Sequence, residues 1–223
     1  DGIRDVERSR GLGDVYKRQK RNLKNYPVQG INIAAREVSG DFFSFYPHND
    51  SVYFIIADVA GKGIHAGMVM AKASTLFEIM ARDQVDPDEI MLHMNNDLFI
   101  TKTGGMFVTS ILGDYNIVTK EIRWVNGGHQ PALIRDNNGN YEKFESNSPP
   151  LGVISQKDKS VYKTNIKQLN NHRFYTFTDG LSESFDEKGQ AELLPIGSWE
   201  VCRKSDGNTV ILAVGPQVFD GIR

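Results

Sequence analysis

The chain has 223 residues, of which 39% are hydrophobic and 24% charged, a composition typical of one globular domain and too short for two full ones. Its 28 acidic and 26 basic residues nearly cancel, which argues against nucleic acid or an anionic membrane as a partner. Because no apolar run approaches the roughly 20 residues of a membrane span and the one cysteine, Cys202, cannot form an internal disulfide, we expect a cytoplasmic protein.

The two ends of the chain share the stretch DGIR, at residues 1–4 and 220–223. Four residues are too few for a structural repeat, and the first 20 residues are charged and aperiodic. We therefore predict a non-native flank or linker remnant at residues 1–24, a folded domain at 25–215 and a non-native tail at 216–223. A basic arm that binds a partner is the alternative for the stretch YKRQKR.

The first regular elements are two strands followed by a helix. The stretches INIAAREV and SVYFIIADV are rich in β-branched and aromatic residues, with the turn-like PHND between them, which predicts an antiparallel pair. A helix is predicted from about His65 to Arg82. Its core face is marked by apolar residues at helical spacing, namely Val69, Ala73, Leu76, Phe77 and Met80.

A second helix is predicted to begin after Asp86. Asp86, Pro87 and Glu89 have the pattern of an N-cap, a first helical residue and the closing glutamate of a capping box. The residues expected to face the core are Met91, Met94 and Leu98.

From residue 106 to 144, short apolar runs alternate with turn signals, a pattern typical of a β-meander. Further strands are predicted at SVYKTNI, RFYTFT and TVILAV. Helices grouped in one block beside mostly antiparallel strands indicate an α+β fold. Two stacked β-sheets flanked by helices, a β-sandwich, would bury all of these strands.

Four aspartates lie at the ends of predicted strands: Asp41, Asp58, Asp179 and Asp206. Each has a glycine within a few positions, so any one alone could be an ordinary turn residue. As a set they offer the oxygen ligands that a hard divalent cation prefers. There is no Cys and His cluster at zinc spacing, and GKG lacks the pattern of a phosphate-binding P-loop. Magnesium or manganese is therefore the predicted metal.

Six stretches carry a family resemblance: EVSGDFFSF, ADVAGKGIHAGMVMA, GGMFVTSILGDYN, WVNGGHQPALI, SPPLGV and FYTFTDGLSES. In this order they resemble the metal-dependent serine/threonine protein phosphatases (the PPM or type 2C family), and within it the bacterial SpoIIE/RsbU branch. The resemblance runs from about residue 30 to 186, with a terminal piece at 206–214. It implies a β-sandwich with helices outside it and a two-metal site, holding Mn²⁺ or Mg²⁺, at one end.

Carried over position by position, the resemblance gives each aspartate a role. Asp58 would bridge both ions, the carbonyl of Val59 would bind the first, and Asp41 would hold waters on that first ion. Asp179 and Asp206 would bind the second ion. After Asp58, glycines 61 and 63 would let the chain turn into the first helix without Cβ clashes.

The resemblance also implies the reaction and its substrate. A water activated by the two ions would attack phosphorus directly, without a phosphoenzyme intermediate. The substrate would be phosphoserine or phosphothreonine on a regulatory protein, such as an anti-sigma-factor antagonist. An upstream sensor domain or a homodimer is compatible with this branch of the family.

Two polar residues have alternative roles. His129 could donate a proton to the leaving seryl oxygen or could be a structural histidine of its turn. Lys62 could attract phosphate near a helix N-terminus or could be an ordinary solvated lysine. Because Ala60 stands where the animal relatives carry a histidine, the acid that protonates the leaving group is not assigned.

Two other functions remain open from the sequence. The segment between residues 186 and 205 is short for the family, which argues for a pseudophosphatase that binds a partner without catalysis, whereas Asp58 and Asp179 argue against it. A nucleotide or phosphosugar hydrolase using the same ions is the second, because metal chemistry does not choose the leaving group.

Overall fold

The computed structural model describes residues 18–22, 26–33, 40–61, 63–101, 105–178 and 209–214. Within these ranges, eleven strands form two stacked sheets, and two α-helices pack on the outer face of one sheet. The strands are β1 Arg18–Asn22, β2 Val28–Ile33, β3 Phe42–His48, β4 Ser51–Val59, β5 Val108–Asn116, β6 Glu121–Gly127, β7 Ala132–Arg135, β8 Tyr141–Phe144, β9 Asn165–Gln168, β10 Arg173–Phe177 and β11 Thr209–Val214. The helices are α1 Ile64–Arg82, α2 Pro87–Ile100 and a short 3₁₀ helix, Lys159–Val161. The predicted α+β sandwich flanked by helices is confirmed.

The two sheets differ in strand order and direction. In the described residues the first has six strands in the order β1-β2-β11-β10-β7-β8, and the second has five in the order β3-β4-β5-β6-β9. The described strand pairs are antiparallel, apart from the parallel pairs β10 with β11 and β11 with β2. The six-stranded sheet begins with β1, which precedes residue 25, the predicted start of the domain.

Side-chain alternation along β4 separates two hydrophobic cores. Phe54 and Ile56 point between the sheets, into a core that also contains the aromatic residues Phe43, Phe45, Tyr115, Trp124 and Phe174. The residues between them, Tyr53, Ile55 and Ala57, point to the helices and the second core. The five-stranded sheet is therefore covered on both faces, and its even-numbered β4 residues face the other sheet.

Both helices lie where they were predicted. On α1, Val69, Ala73 and Phe77 are buried, and Leu76 and Met80 pack against the same core while partly exposed. On α2 the three predicted core residues are buried: Met91, Met94 and Leu98. No helix in the described part of the chain is both long and apolar enough to span a bilayer.

The predicted capping box of α2 is wrong. Asp86 is the N-cap residue, but its side chain makes no capping hydrogen bond. Its Oδ1 instead accepts a hydrogen bond from Arg123 of β6 at 3.0 Å, and Glu89 accepts one from Lys159 at 2.9 Å. Charged partners from distant parts of the chain thus replace the local pattern.

Two predicted strand pairings are also wrong. The antiparallel partner of β4 is β3, not the INIAAREV stretch, whose first residues belong to β2 in the six-stranded sheet. Pro47 resembles a turn residue, but it lies in the edge strand β3, where a missing N–H is tolerated. The meander is broken after β6, because the chain crosses through residues 128–131 to β7 in the other sheet.

We predict that Gly113→Ala strongly destabilises the fold. A Cβ placed ideally on Gly113 would stand 2.1 Å from the backbone oxygen of Arg123 and 2.9 Å from Phe54 Cζ. Because the paired backbone cannot move away, the free energy of unfolding should fall by about 3 kcal/mol or more in urea denaturation. The control Val118→Ala, at a side chain 65% exposed, should change it by less than about 0.5 kcal/mol. An unchanged stability of Gly113→Ala would contradict the β5–β6 register.

Candidate functional site

Asp58 lies at the end of β4, where the core between the sheets stops. It pairs with Thr109 of β5 in the antiparallel ladder. By the alternation of β4, its half-buried side chain shares the inter-sheet face of Phe54 and Ile56. The strand therefore delivers a carboxylate to the open end of the sandwich.

The β3–β4 register brings a second acidic residue to Asp58. Phe42 pairs with Ala57, so the same register one step further places half-buried Asp41 beside Asp58 and Gly40 beside Val59. A Cβ placed ideally on Gly40 would stand 2.9 Å from the Val59 carbonyl oxygen and 3.3 Å from Asp58 Oδ1. Two oxygens therefore converge on a small space that only glycine leaves open.

These oxygens suit a hard divalent cation. A carboxylate and a backbone carbonyl that converge, with another carboxylate beside them, are the ligand types that Mg²⁺ and Mn²⁺ prefer. In the described ranges no group of three or more Asp, Glu, His or Cys side chains converges. The other predicted metal-binding residues, Asp179 and Asp206, lie outside the described residues, as does Lys62.

A cavity of about 300 Å³ opens at this end of the sandwich. Its lining comes from the end of β4, the start of β5 and the crossing loop between β6 and β7: Asp58, Ala60, Phe107, Thr109, Gly128, His129 and Gln130. At roughly 30 Å³ per water molecule, it has room for a phosphoryl group together with several waters.

Two glycines turn the chain from β4 into α1, as predicted. Gly61 has a φ of 140° and Gly63 a φ of 79°, backbone conformations that side chains with a Cβ rarely adopt. Gly63 is the N-cap residue of α1. The turn therefore lets the chain leave the strand directly after the Asp58–Val59 pair.

The crossing loop is held by a buried asparagine that sequence reasoning missed. Asn126 Oδ1 accepts a hydrogen bond from the backbone N–H of His129 at 2.9 Å, and its Nδ2 donates to the Gln130 carbonyl at 3.0 Å. Gly128 has a φ of 69°, and its N–H donates to Ser146 Oγ at 2.8 Å. The sequence does carry a signal for this turn, because Asn126 is followed by two glycines, a common turn motif.

His129 joins the loop to the two sheets. Its Nδ1 lies 2.8 Å from Thr109 Oγ1, and the residue is only 7% exposed. Burial lowers the pKa of His129 from 6.5 to about 4, and the backbone carbonyl of Phe177 offsets part of that shift. Because Thr109 engages Nδ1 and no partner of good hydrogen-bond geometry reaches Nε2, we assign the looser Phe177 contact to Nε2.

The low pKa limits what His129 can do. The imidazole is therefore mainly neutral at pH 7, so a charged proton donor is rare at this position. The neutral ring is well suited to holding Thr109. Thr109, Phe107 and Gly40 were not singled out from the sequence, because their roles depend on strand pairing rather than on residue type.

Comparisons with known proteins identify relatives. The family model described as Stage II sporulation protein E (SpoIIE) matches residues 48–207. Phosphoserine phosphatase RsbU of Bacillus subtilis is 24% identical over 166 residues, which cover 74% of this chain and 49% of RsbU. The chain thus spans about half the length of that relative.

Solved structures share the fold. The RsbU and RsbW domains of a Mycobacterium tuberculosis protein match with a TM-score of 0.60 and 19% identity, covering 71% of this chain and 44% of that one. RsbX in complex with magnesium matches with a TM-score of 0.53 and 19% identity, covering 68% of this chain and 72% of that one.

We predict that His129 makes stability depend on pH. The unfolded chain protonates this residue near pH 6.5 and the folded chain near pH 4, so its contribution is fully present above about 6.5 and is lost as the pH falls toward 4. The full loss corresponds to about 3 kcal/mol. Urea denaturation at a series of pH values should show a shallower dependence in His129→Asn, which keeps an acceptor near Thr109 but does not titrate.

The control for this experiment is His93→Asn, a change at an exposed histidine of α2. It should keep the pH dependence of the wild type. Identical profiles for His129→Asn and the wild type between pH 4 and 6.5 would contradict the buried, neutral imidazole.

Proposed function

The chain belongs to the Stage II sporulation protein E (SpoIIE) family, and we propose that it is a metal-dependent phosphatase acting on phosphoserine or phosphothreonine of a bacterial regulatory protein. The observation that carries this proposal is that Asp58, which lines the cavity, shares the space beside Gly40 with the Val59 carbonyl, and that Asp41 lies beside it on β3. The name of the relative RsbU, a phosphoserine phosphatase, supports the reaction. An anti-sigma-factor antagonist is the substrate type that the family resemblance favours.

The proposed cofactors are two divalent ions, Mn²⁺ or Mg²⁺. Asp58 would contact both, Val59 the first through its carbonyl, and Asp41 the first through waters, while Asp179 and Asp206 would hold the second. The magnesium complex of RsbX supports this choice of ion. When bound, such ions lower the pKa of water and offset the charge of a phosphoryl group.

The position of β10 supports the assignment of Asp179 to this cavity. The backbone of Phe177, the last residue of β10, contacts the imidazole of His129, which lines the cavity. Asp179 follows Phe177 by two residues, and two residues of chain reach at most about 7 Å. This short chain distance supports assigning Asp179 to the proposed site.

Hydrolysis would proceed by direct attack of water on phosphorus, with the bond from phosphorus to the seryl oxygen breaking in line. The strand ends and the crossing loop hold the reacting groups in place, which is the main contribution a protein makes to phosphoryl transfer. The pseudophosphatase alternative is not favoured, because the named relative is a phosphatase, and the shared position of Asp58 Oδ1 and the Val59 carbonyl beside Gly40 supports the same choice. The cytoplasmic location, the sensor domain and the homodimer stay predictions.

We predict that turnover requires both a divalent ion and Asp58. Release of phosphate from a phosphoserine peptide should need Mn²⁺, stop with EDTA and fall by about 100-fold or more in Asp58→Asn, because the carboxylate charge is lost. The matched control is Asp50→Asn, an exposed residue in the turn at the other end of the same hairpin. Equal activity of the two variants, or turnover in EDTA, would contradict the proposal.

We also predict that Gly40→Ala weakens metal binding. The added Cβ would occupy the space between Asp58 Oδ1 and the Val59 carbonyl, so calorimetry should show a Mn²⁺ dissociation constant raised by about 10-fold or more. Gly139→Ala, in the turn between β7 and β8, is a glycine control away from the cavity and should keep the wild-type affinity. Unchanged Mn²⁺ affinity in Gly40→Ala would mean that the ion binds elsewhere.

A further inference from the structure

Thr109 is a neutral polar residue that lies directly opposite Asp58 in the β4–β5 pair. It pairs directly with Asp58 across β4 and β5, and its half-buried side chain lines the same cavity. Its strand neighbour Ser110 points the other way and donates to Met91 Sδ on the helix side. Thr109 is thus the residue of this strand pair whose hydroxyl belongs to the cavity.

The surroundings of His129 decide which way the Thr109 hydroxyl points. With Nδ1 engaged by Thr109 and the Phe177 contact assigned to Nε2, a bare nitrogen lone pair on Nε2 would meet the carbonyl oxygen with like partial charges. The tautomer with hydrogen on Nε2 avoids this repulsion. Nδ1 is then an acceptor, and the Thr109 hydroxyl donates to it over 2.8 Å.

This direction limits the partners of Thr109 in the cavity. Its single hydroxyl hydrogen is committed to His129, so its remaining lone pairs can only accept hydrogen bonds. Phosphate oxygens are acceptors as well and gain nothing from such a group. A water molecule has two hydrogens to donate and is a suitable partner.

We propose that Thr109 orients the attacking water beside Asp58, and that His129 is a positioning residue that fixes the direction of the Thr109 hydroxyl. This inference rests on the proposed phosphatase function. In the reaction, the bond from the water oxygen to phosphorus forms and the bond from phosphorus to the seryl oxygen breaks. Water loses one proton and the seryl oxygen gains one, while Thr109 keeps its own proton and remains unmodified.

Three variants test this role in the full chain. Thr109→Val keeps the shape and removes the acceptor, so kcat for a phosphoserine peptide with Mn²⁺ should fall about 10- to 100-fold while KM stays near the wild-type value. Thr109→Ser keeps the hydroxyl and should retain most of the wild-type kcat. Ser110→Ala loses a hydroxyl from the opposite face of β5 and should match the wild type.

Two measurements do not depend on turnover. Calorimetry should give Thr109→Val the same Mn²⁺ affinity as the wild type, because Thr109 acts on water and not on the ion. Nitrogen-15 NMR of His129 in the wild type should show hydrogen on Nε2 and a bare Nδ1 at neutral pH.

Each contrary result has a distinct meaning. If the wild type hydrolyses the peptide and Thr109→Val has the same kcat, this inference is overturned and the phosphatase proposal stays intact. An NMR spectrum that places the imidazole hydrogen of His129 on Nδ1 would have the same meaning. Phosphate trapped on Thr109 would also overturn it, because the threonine would then be a nucleophile. A wild type without Mn²⁺-dependent turnover would overturn the proposed function and this inference together.

Discussion

The register of three adjacent strands is the constraint on which the site depends. Phe42 of β3 pairs with Ala57 of β4, which brings Gly40 and Asp41 to the Val59–Asp58 end of β4. A slip of one residue would turn Asp58 to the helix side and replace it with a buried apolar residue. Both faces of β4 are buried, so the register is fixed by side-chain shape: Phe54 and Ile56 fill the core between the sheets, and the small Ala57 packs under the helices. The packing of the two cores therefore fixes where the carboxylate points.

The geometry of the site also depends on the distance between the two sheets, which the crossing loop helps to set. The chain leaves β6 in one sheet and enters β7 in the other, with Asn126 holding the turn from inside. His129 contacts Thr109 of the five-stranded sheet and the backbone of Phe177 in the six-stranded one. It thus ties the two sheets together at the cavity.

Local patterns in the sequence predicted the helices and the place of Asp58, but not the pairing of strands. The period of α1 and the glycines after β4 are local signals, and both were confirmed. The sequence did not predict β3 as the partner of β4, because a proline such as Pro47 usually indicates a turn. Pro47 is tolerated within β3 only because β3 is an edge strand, and that position is not visible in the sequence. The cap of α2 failed because Arg123, 37 residues away, takes the Asp86 carboxylate. Asp179 and Asp206 stay predictions, since they lie outside the described residues.

The central claim is that a divalent ion binds where the Asp58 carboxylate and the Val59 carbonyl converge. Anomalous diffraction from crystals grown with Mn²⁺ tests it most directly, because the signal locates the ion without reference to activity. We expect a peak within about 2.5 Å of both Asp58 and the Val59 oxygen. Bound manganese at a position out of reach of Asp58, or crystals saturated with Mn²⁺ that show no peak at this end of the sandwich, would contradict the account.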